Sequence, residues 1–160
     1  MTTDLQALAE QLGQRLAASG LMLATAESCT GGWISKCVTD IAGSSAWLDR
    51  AFVTYSNAAK QDMLGVTVDT LAAHGAVSEP VVRQMAAGAL AHSAAQVAVA
   101  VSGVAGPGGG SANKPVGTVC FGFALPAGVS AETMHFPGDR DAVRRQSVVH
   151  ALSRLIALLS

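Results

Sequence analysis

The chain has 160 residues, of which 50% are hydrophobic, 13% charged and 4% aromatic, and its 10 basic and 11 acidic side chains leave a net charge of −1. That length suits one domain rather than two and buries about two-thirds of the unfolded surface, so folding needs no disulfide or metal staple. The balanced charge excludes the basic stripe with which proteins hold nucleic acid, so an anionic ligand must be held by a local site.

From Gln84 to Asn113 there is no Asp, Glu, Lys or Arg. His92, Ser93, Gln96 and a Gly/Pro run interrupt this stretch before about 20 apolar residues accumulate, so it is no membrane span. The N-terminal MTTDLQALAE is acidic and polar, unlike a signal peptide. Three cysteines, Cys29, Cys37 and Cys120, make an odd number without a CxxC spacing, which fits a reduced cytoplasmic setting.

Thr3 and Gln6 have the spacing of a capping box, and Leu5, Leu8, Leu12 and Leu16 mark one face of a first helix that stops near Gly20. Residues 21–26 (LMLATA) are a short apolar strand that runs into Glu27-Ser28-Cys29-Thr30-Gly31-Gly32, after which a helix is expected over Trp33 to Asp40. Residues 51–55 (AFVTY) predict a second strand, followed by a helix opened by Ser56 or Asn57 and closed at Gly65. Ser78-Glu79-Pro80 opens the next helix, with Val82, Met85, Ala86 and Ala89 as its buried face. Residues 97–102 (VAVAVS) lack polar alternation, as expected of a strand covered on both faces. A glycine-rich loop over 103–115 leads to an antiparallel pair, 116–125 and 130–136, around Pro126-Ala127-Gly128. Val148, Leu152, Leu155, Ile156 and Leu159 then line a C-terminal helix. Alternating helices and strands predict an α/β fold, a single-domain α/β/α sandwich with a mixed β-sheet over residues 1–160.

Three segments carry candidate chemistry. Ser28 stands between a buried strand and a helix whose first turn holds Gly31 and Gly32, where unpaired N–H groups can stabilise an oxyanion or bind phosphate; a plain helix cap by Ser28 and Thr30 is the simpler reading. Cys29 beside it is a rival nucleophile, because a helix start lowers a thiol pKa. Tyr55 and Lys60 are the second candidate. Lysine occurs only at Lys36, Lys60 and Lys114. To act as a base near neutrality a lysine must come down by roughly 3 pH units from about 10.4, about 4 kcal/mol. Burial against Ala58, Ala59, Met63 and Leu64 would contribute, Asp62 would oppose it, and a snorkelling surface lysine is the bland alternative. The third is the loop from Ser102 to Pro115, five glycines and Lys114 after a buried strand, which suits a backbone nest for an anion or a planar ring, or else is a disordered loop. It matches neither GxxxxGK[ST] nor GxGxxG. Its SxxK match, Ser111 to Lys114, lacks the helix that motif requires and is accidental.

His74, His92, His135 and His150 are scattered without metal-ligand spacing, and no GxSxG elbow occurs. No metal or cofactor is expected. Asp139-Arg140-Asp141 with Arg144 and Arg145 opens the last helix, as a solvated helix start or as an anion clamp.

Together, AESCTGG (26–32), VTYSNAAKQDMLGV (53–66), GAVSEPVV (75–82), SGVAGPGGGSANKPVGTV (102–119) and GDRDAVRRQSV (138–148) resemble the CinA C-terminal domain family, in order and spacing and over nearly the whole chain. That family includes stand-alone nicotinamide-nucleotide amidohydrolases, and many members carry this domain behind a molybdopterin-binding-like domain that these residues do not contain. The resemblance implies hydrolysis of nicotinamide mononucleotide to nicotinate mononucleotide and ammonia, a recycling step of pyridine-nucleotide metabolism. It puts the nucleophile at Ser28 and its activation at Tyr55 and Lys60, and it tolerates other residues at the position of Cys29. The oxyanion would sit on N–H groups near Thr30, Gly31 and Gly32. Asn57, Ser102, Gly103, Gly106, Gly108, Gly109 and Gly110 would bind substrate, and Lys114, Arg140 or Arg144 its phosphate. A nucleotide-binding regulatory module without turnover, and a hydrolase of another amide, remain the alternatives. The expected partner is a small pyridine nucleotide, not nucleic acid or membrane, and the Ala- and Val-rich faces admit a homo-oligomer.

Overall fold

The computed structural model describes residues 4–160. In chain order the elements are α1 (Leu5–Ser19), β1 (Leu23–Glu27), α2 (Trp33–Thr39), a 3-10 turn (Ser44–Ala46), β2 (Leu48–Val53), α3 (Asn57–Leu64), α4 (Val68–His74), α5 (Glu79–Ala91), β3 (Val97–Gly103), β4 (Thr118–Leu125), β5 (Gly128–His135) and α6 (Arg140–Leu158). Thr3, expected to open α1, lies outside the described residues. Within them Asp4 is the cap, its carboxylate accepting from the Gln6 N–H at 2.9 Å. Ser56, Ser78 and Asp139 cap α3, α5 and α6 in the same way, and Gly20 and Gly65 close α1 and α3 in the left-handed conformation.

Two expectations are corrected. The second strand begins at Leu48 and ends at Val53, so Thr54 and Tyr55 have already left the sheet. Helix α4, capped by Thr67, was not foreseen; it is seven residues long and none of them is fully buried, Leu71 packing only in part against the core.

The sheet is mixed, in the order β2-β1-β3-β4-β5. Strands β2, β1 and β3 are parallel, and β4 and β5 run antiparallel as a hairpin. Side-chain size alternates along the central strands. Leu23, Val97, Val99, Val101, Val119, Phe121 and Phe123 face α1, α2 and α6, whereas Ala24, Ala26, Ala98, Ala100, Cys120 and Ala124 face α3 and α5. The alanine face lets backbones approach closely: a Cβ on Gly122 would lie 2.2 Å from the Val82 carbonyl oxygen, and one on Gly88 of α5 only 1.9 Å from that of Leu64 at the end of α3. The scarcity of aromatics thus serves this thin layer.

Strand order also locates the crevice. From β1 the chain moves to one side to make β2, then crosses to the other side to make β3. The carboxyl ends of β1 and β3 therefore flank a topological switch point, where open α/β sheets leave a binding crevice.

Candidate active site

Ser28 is the first residue beyond β1, and its N–H donates to the Val101 carbonyl at 3.0 Å, so it continues the ladder beside β3. By strand parity its side chain points to the alanine face, the side from which α3 approaches. Lys60, in the first turn of α3, reaches across to it. Its Nζ lies 3.0 Å from Ser28 Oγ and donates to the carbonyls of Thr54 at 3.0 Å and Tyr55 at 3.2 Å. Lys60 is 1% exposed, and this burial lowers its pKa, Cys29 acting in the opposite sense. Asp62 is exposed and is not among the charges acting on Lys60.

The hydrogen-bond inventory around Lys60 closes in both protonation states. As an ammonium it has three donors for three acceptors, and Ser28 Oγ in turn donates to the Tyr55 carbonyl at 3.4 Å. As a neutral amine it keeps two donors for the two carbonyls, and its lone pair faces the serine hydroxyl. Tyr55 enters this arrangement through its main-chain oxygen, and the residue, 65% exposed, also lines the adjoining cavity. The rival thiol is quiet: burial pushes Cys29 up to about 11, so it remains a neutral thiol near neutrality.

These groups form one wall of a cavity of about 340 Å³. Asn57, Ser102, Gly103, Gly106, Gly108, Gly109, Gly110 and Arg140 line it with Ser28, Tyr55 and Lys60, so these candidates are brought together, while Ala76 and Val77 were not anticipated. No main-chain carbonyl among the described residues takes up the N–H groups of Gly106, Gly108 and Gly109. Arg140 Nη1 donates to the Gly106 carbonyl at 2.9 Å, which pins the loop to the start of α6 and sets a positive charge at the cavity wall.

Other predicted residues fall elsewhere. Lys114 donates to the His74 carbonyl and lines a neighbouring cavity with Glu79, Cys120 and His135. Arg144, one turn after Arg140, donates from Nε to the Cys29 carbonyl at 3.0 Å and from Nη2 to that of Thr30 at 3.4 Å, with its guanidinium 5.8 Å from the centre of the Trp33 ring. It braces the turn that carries Ser28 instead of lining the cavity. Thr30, Gly31 and Gly32 are also outside the lining, and two N–H groups at the start of α2, those of Ile34 and Ser35, are already taken. The carboxylate of Glu27, fully buried, accepts from Thr30 Oγ1 at 2.7 Å, the Ile34 N–H at 2.8 Å, the Ser35 N–H at 3.0 Å and Thr25 Oγ1 at 3.2 Å. Sequence reasoning passed over Glu27. Its signal was an acid ending an otherwise uncharged strand just before a helix start, where a negative charge is stabilised.

The model of the CinA C-terminal domain family matches residues 5–159. A nicotinamide-nucleotide amidohydrolase, PncC, of Escherichia coli strain K12 is 59% identical over 154 residues, 96% of this chain and 93% of that one. Its counterpart from Pseudomonas putida is 51% identical over 151 residues, 94% of each chain. Among solved structures, the competence/damage inducible protein CihA from Agrobacterium tumefaciens superposes with a TM-score of 0.96 at 49% identity, covering 100% of this chain and 98% of that one.

Proposed function

This chain belongs to the CinA C-terminal domain family, and from that premise we propose that it is a nicotinamide-nucleotide amidohydrolase working in the cytoplasm, with residues 1–160 as one amidohydrolase domain. Its substrate is nicotinamide mononucleotide, which reacts with water to give nicotinate mononucleotide and ammonia in pyridine-nucleotide recycling. The observation that carries this reading is the 3.0 Å contact between Ser28 Oγ and a lysine amine that is almost fully buried, at the wall of a cavity with an arginine and a glycine loop.

Neutral Lys60 takes the proton of Ser28 as its oxygen attacks the carboxamide carbon, and the Thr54 and Tyr55 carbonyls hold the amine in place through both protonation states. When the tetrahedral adduct collapses, Lys60 returns that proton to the departing nitrogen, which leaves as ammonia. A water molecule then attacks the acyl group and gives a proton to Lys60, which passes it to Ser28 Oγ as the ester bond breaks, so nicotinate mononucleotide leaves and both groups are restored. Atoms and protons balance within these groups, so the proposal assigns no metal or cofactor. The phosphate, nearly a dianion, is met by Arg140 and by the free N–H groups of the glycine loop.

The test is ammonia release from nicotinamide mononucleotide by the purified protein. Ser28→Ala is expected to abolish it with the fold intact, whereas Cys29→Ala keeps most of it. The reverse pattern would sink the serine assignment, and a parent protein that binds the nucleotide without releasing ammonia would be a binding module.

A further inference from the structure

Ser102, the penultimate residue of β3, has a part in the chemistry that its membership of the glycine-loop segment does not describe. It is 2% exposed and lines the cavity. Its hydroxyl engages no hydrogen bond among the described residues. Its donor and acceptor are therefore both left for a molecule in the cavity.

Its placement says which atom. Strands β1 and β3 pair Glu27 with Val101, and the ladder continues through the Ser28 N–H, so Ser28 and Ser102 are side-by-side neighbours about 4.8 Å apart at the backbone. Strand parity sends both side chains to the same face. Lys60 reaches Ser28 from the segment after β2, which flanks β1 on the other side. The nucleophile thus stands between a proton carrier on one flank and a lone hydroxyl on the other.

A carboxamide carbon in front of Ser28 has two heteroatoms to place. The nitrogen must receive a proton on departure, and Lys60 holds that proton, so the nitrogen turns to the Lys60 flank. The carbonyl oxygen then turns to β3. At the start of α2 the Glu27 carboxylate takes the Ile34 and Ser35 N–H groups, and Thr30, Gly31 and Gly32 stand outside the cavity lining.

We propose that Ser102 is a catalytic residue whose hydroxyl donates a hydrogen bond to the oxyanion formed when Ser28 attacks the carboxamide. As the bond from Ser28 Oγ to carbon forms, the carbonyl π pair moves onto oxygen and Ser102 Oγ–H stabilises the charge. On collapse the pair returns, the carbon–nitrogen bond breaks, and Ser102 keeps its proton throughout. This rests on the amidohydrolase reading given above.

The test compares Ser102→Ala with the parent on nicotinamide mononucleotide and on its thiocarboxamide analogue, whose sulfur is a poorer acceptor. On the amide, kcat is expected to fall about 100-fold with KM within about threefold, as for loss of a donor used mainly in the transition state. The variant is expected to melt within about 2 °C of the parent, since no protein hydrogen bond is lost. Oxygen-to-sulfur replacement should slow the parent by a larger factor than the variant. A kcat within about threefold of the parent, a loss carried wholly by KM, or equal sulfur penalties in the two proteins would each overturn the assignment. If Ser28→Ala abolishes turnover while Ser102→Ala does not slow it, only the Ser102 assignment falls. If Ser28→Ala leaves turnover intact, the amidohydrolase reading falls with it.

Discussion

Replacing Glu27 by Gln changes one oxygen to an amide nitrogen and is the most direct probe of the turn that carries Ser28. In the better of the two amide orientations the remaining oxygen keeps the shorter pair of contacts, Thr30 Oγ1 at 2.7 Å and the Ile34 N–H at 2.8 Å. The new NH₂ then faces Thr25 Oγ1, which can rotate to accept, and the Ser35 N–H, which cannot. One main-chain donor is left without a partner, at about 1–3 kcal/mol, and the two surviving bonds lose their charge assistance, at roughly 1 kcal/mol between them. Relief of the carboxylate's own desolvation offsets part of this. A net loss of about 2 kcal/mol follows, which for a domain of this size lowers the melting temperature by about 4–8 °C. Thermal and urea melts of the parent and of Glu27→Gln measure it, and ammonia release is expected to fall with it because Ser28 is the next residue. A variant that melts within about 2 °C of the parent would refute the idea that this carboxylate holds the turn.

Lys60→Met is expected to lower kcat by about 10³-fold with little change in KM, whereas a loss confined to KM would make Lys60 a phosphate ligand. The parent should lose activity on the acid side as Lys60 takes up a proton, with a midpoint below the ordinary lysine value of about 10.4, because burial lowers its pKa. In the unfolded chain Lys60 keeps that ordinary value, so its contribution to stability is fully present above it and is lost as pH falls toward the folded-state pKa. The stability of the parent relative to Lys60→Met, read from urea melts, should therefore rise with pH up to about 10.4. Arg140→Met should raise KM for nicotinamide mononucleotide and Lys114→Met should leave it nearly unchanged, since only the first of these cations lines the cavity; equal effects in steady-state kinetics would contradict that assignment of the phosphate site.

The sequence revealed most of the architecture because the elements that build it carry their own punctuation. Asp and Ser caps, Gly20 and Gly65, and the apolar faces of α5 and α6 are local signals, and the structure uses each of them. The end of β2 was misplaced because Thr54 and Tyr55 favour extended backbone; the pairing with β1 ends at Val53, and the Thr54 N–H makes one last bond to the Glu27 carbonyl. VAVAVS read as uniform since both of its faces are buried, yet its valines and alanines sort by size onto opposite layers, and only the packed structure makes that sorting meaningful. At the site, Ser28, Lys60 and the loop were legible as residue types out of place: a serine before a glycine turn, a lysine among alanines. What was not legible was who already had a partner. The Ile34 and Ser35 N–H groups are taken by Glu27, Lys114 is tied to α4, and the Tyr55 carbonyl accepts from Lys60, which no side-chain pattern can announce.

Helix α5 supplies no group to the cavity, yet it fixes where the amine stands. At Gly88 and the Leu64 carbonyl, two main chains touch with no side chain between them, and Lys60 is one turn before Leu64 on the same helix. A joint of this kind has no slack, because side chains can repack around an added methyl group but two peptide planes must move apart. The sheet could absorb such a displacement; a 3.0 Å contact between Lys60 and Ser28 could not, since a hydrogen bond weakens steeply beyond about 3.5 Å. Drift at a remote, chemically blank glycine would leave a folded protein whose base no longer reaches its serine.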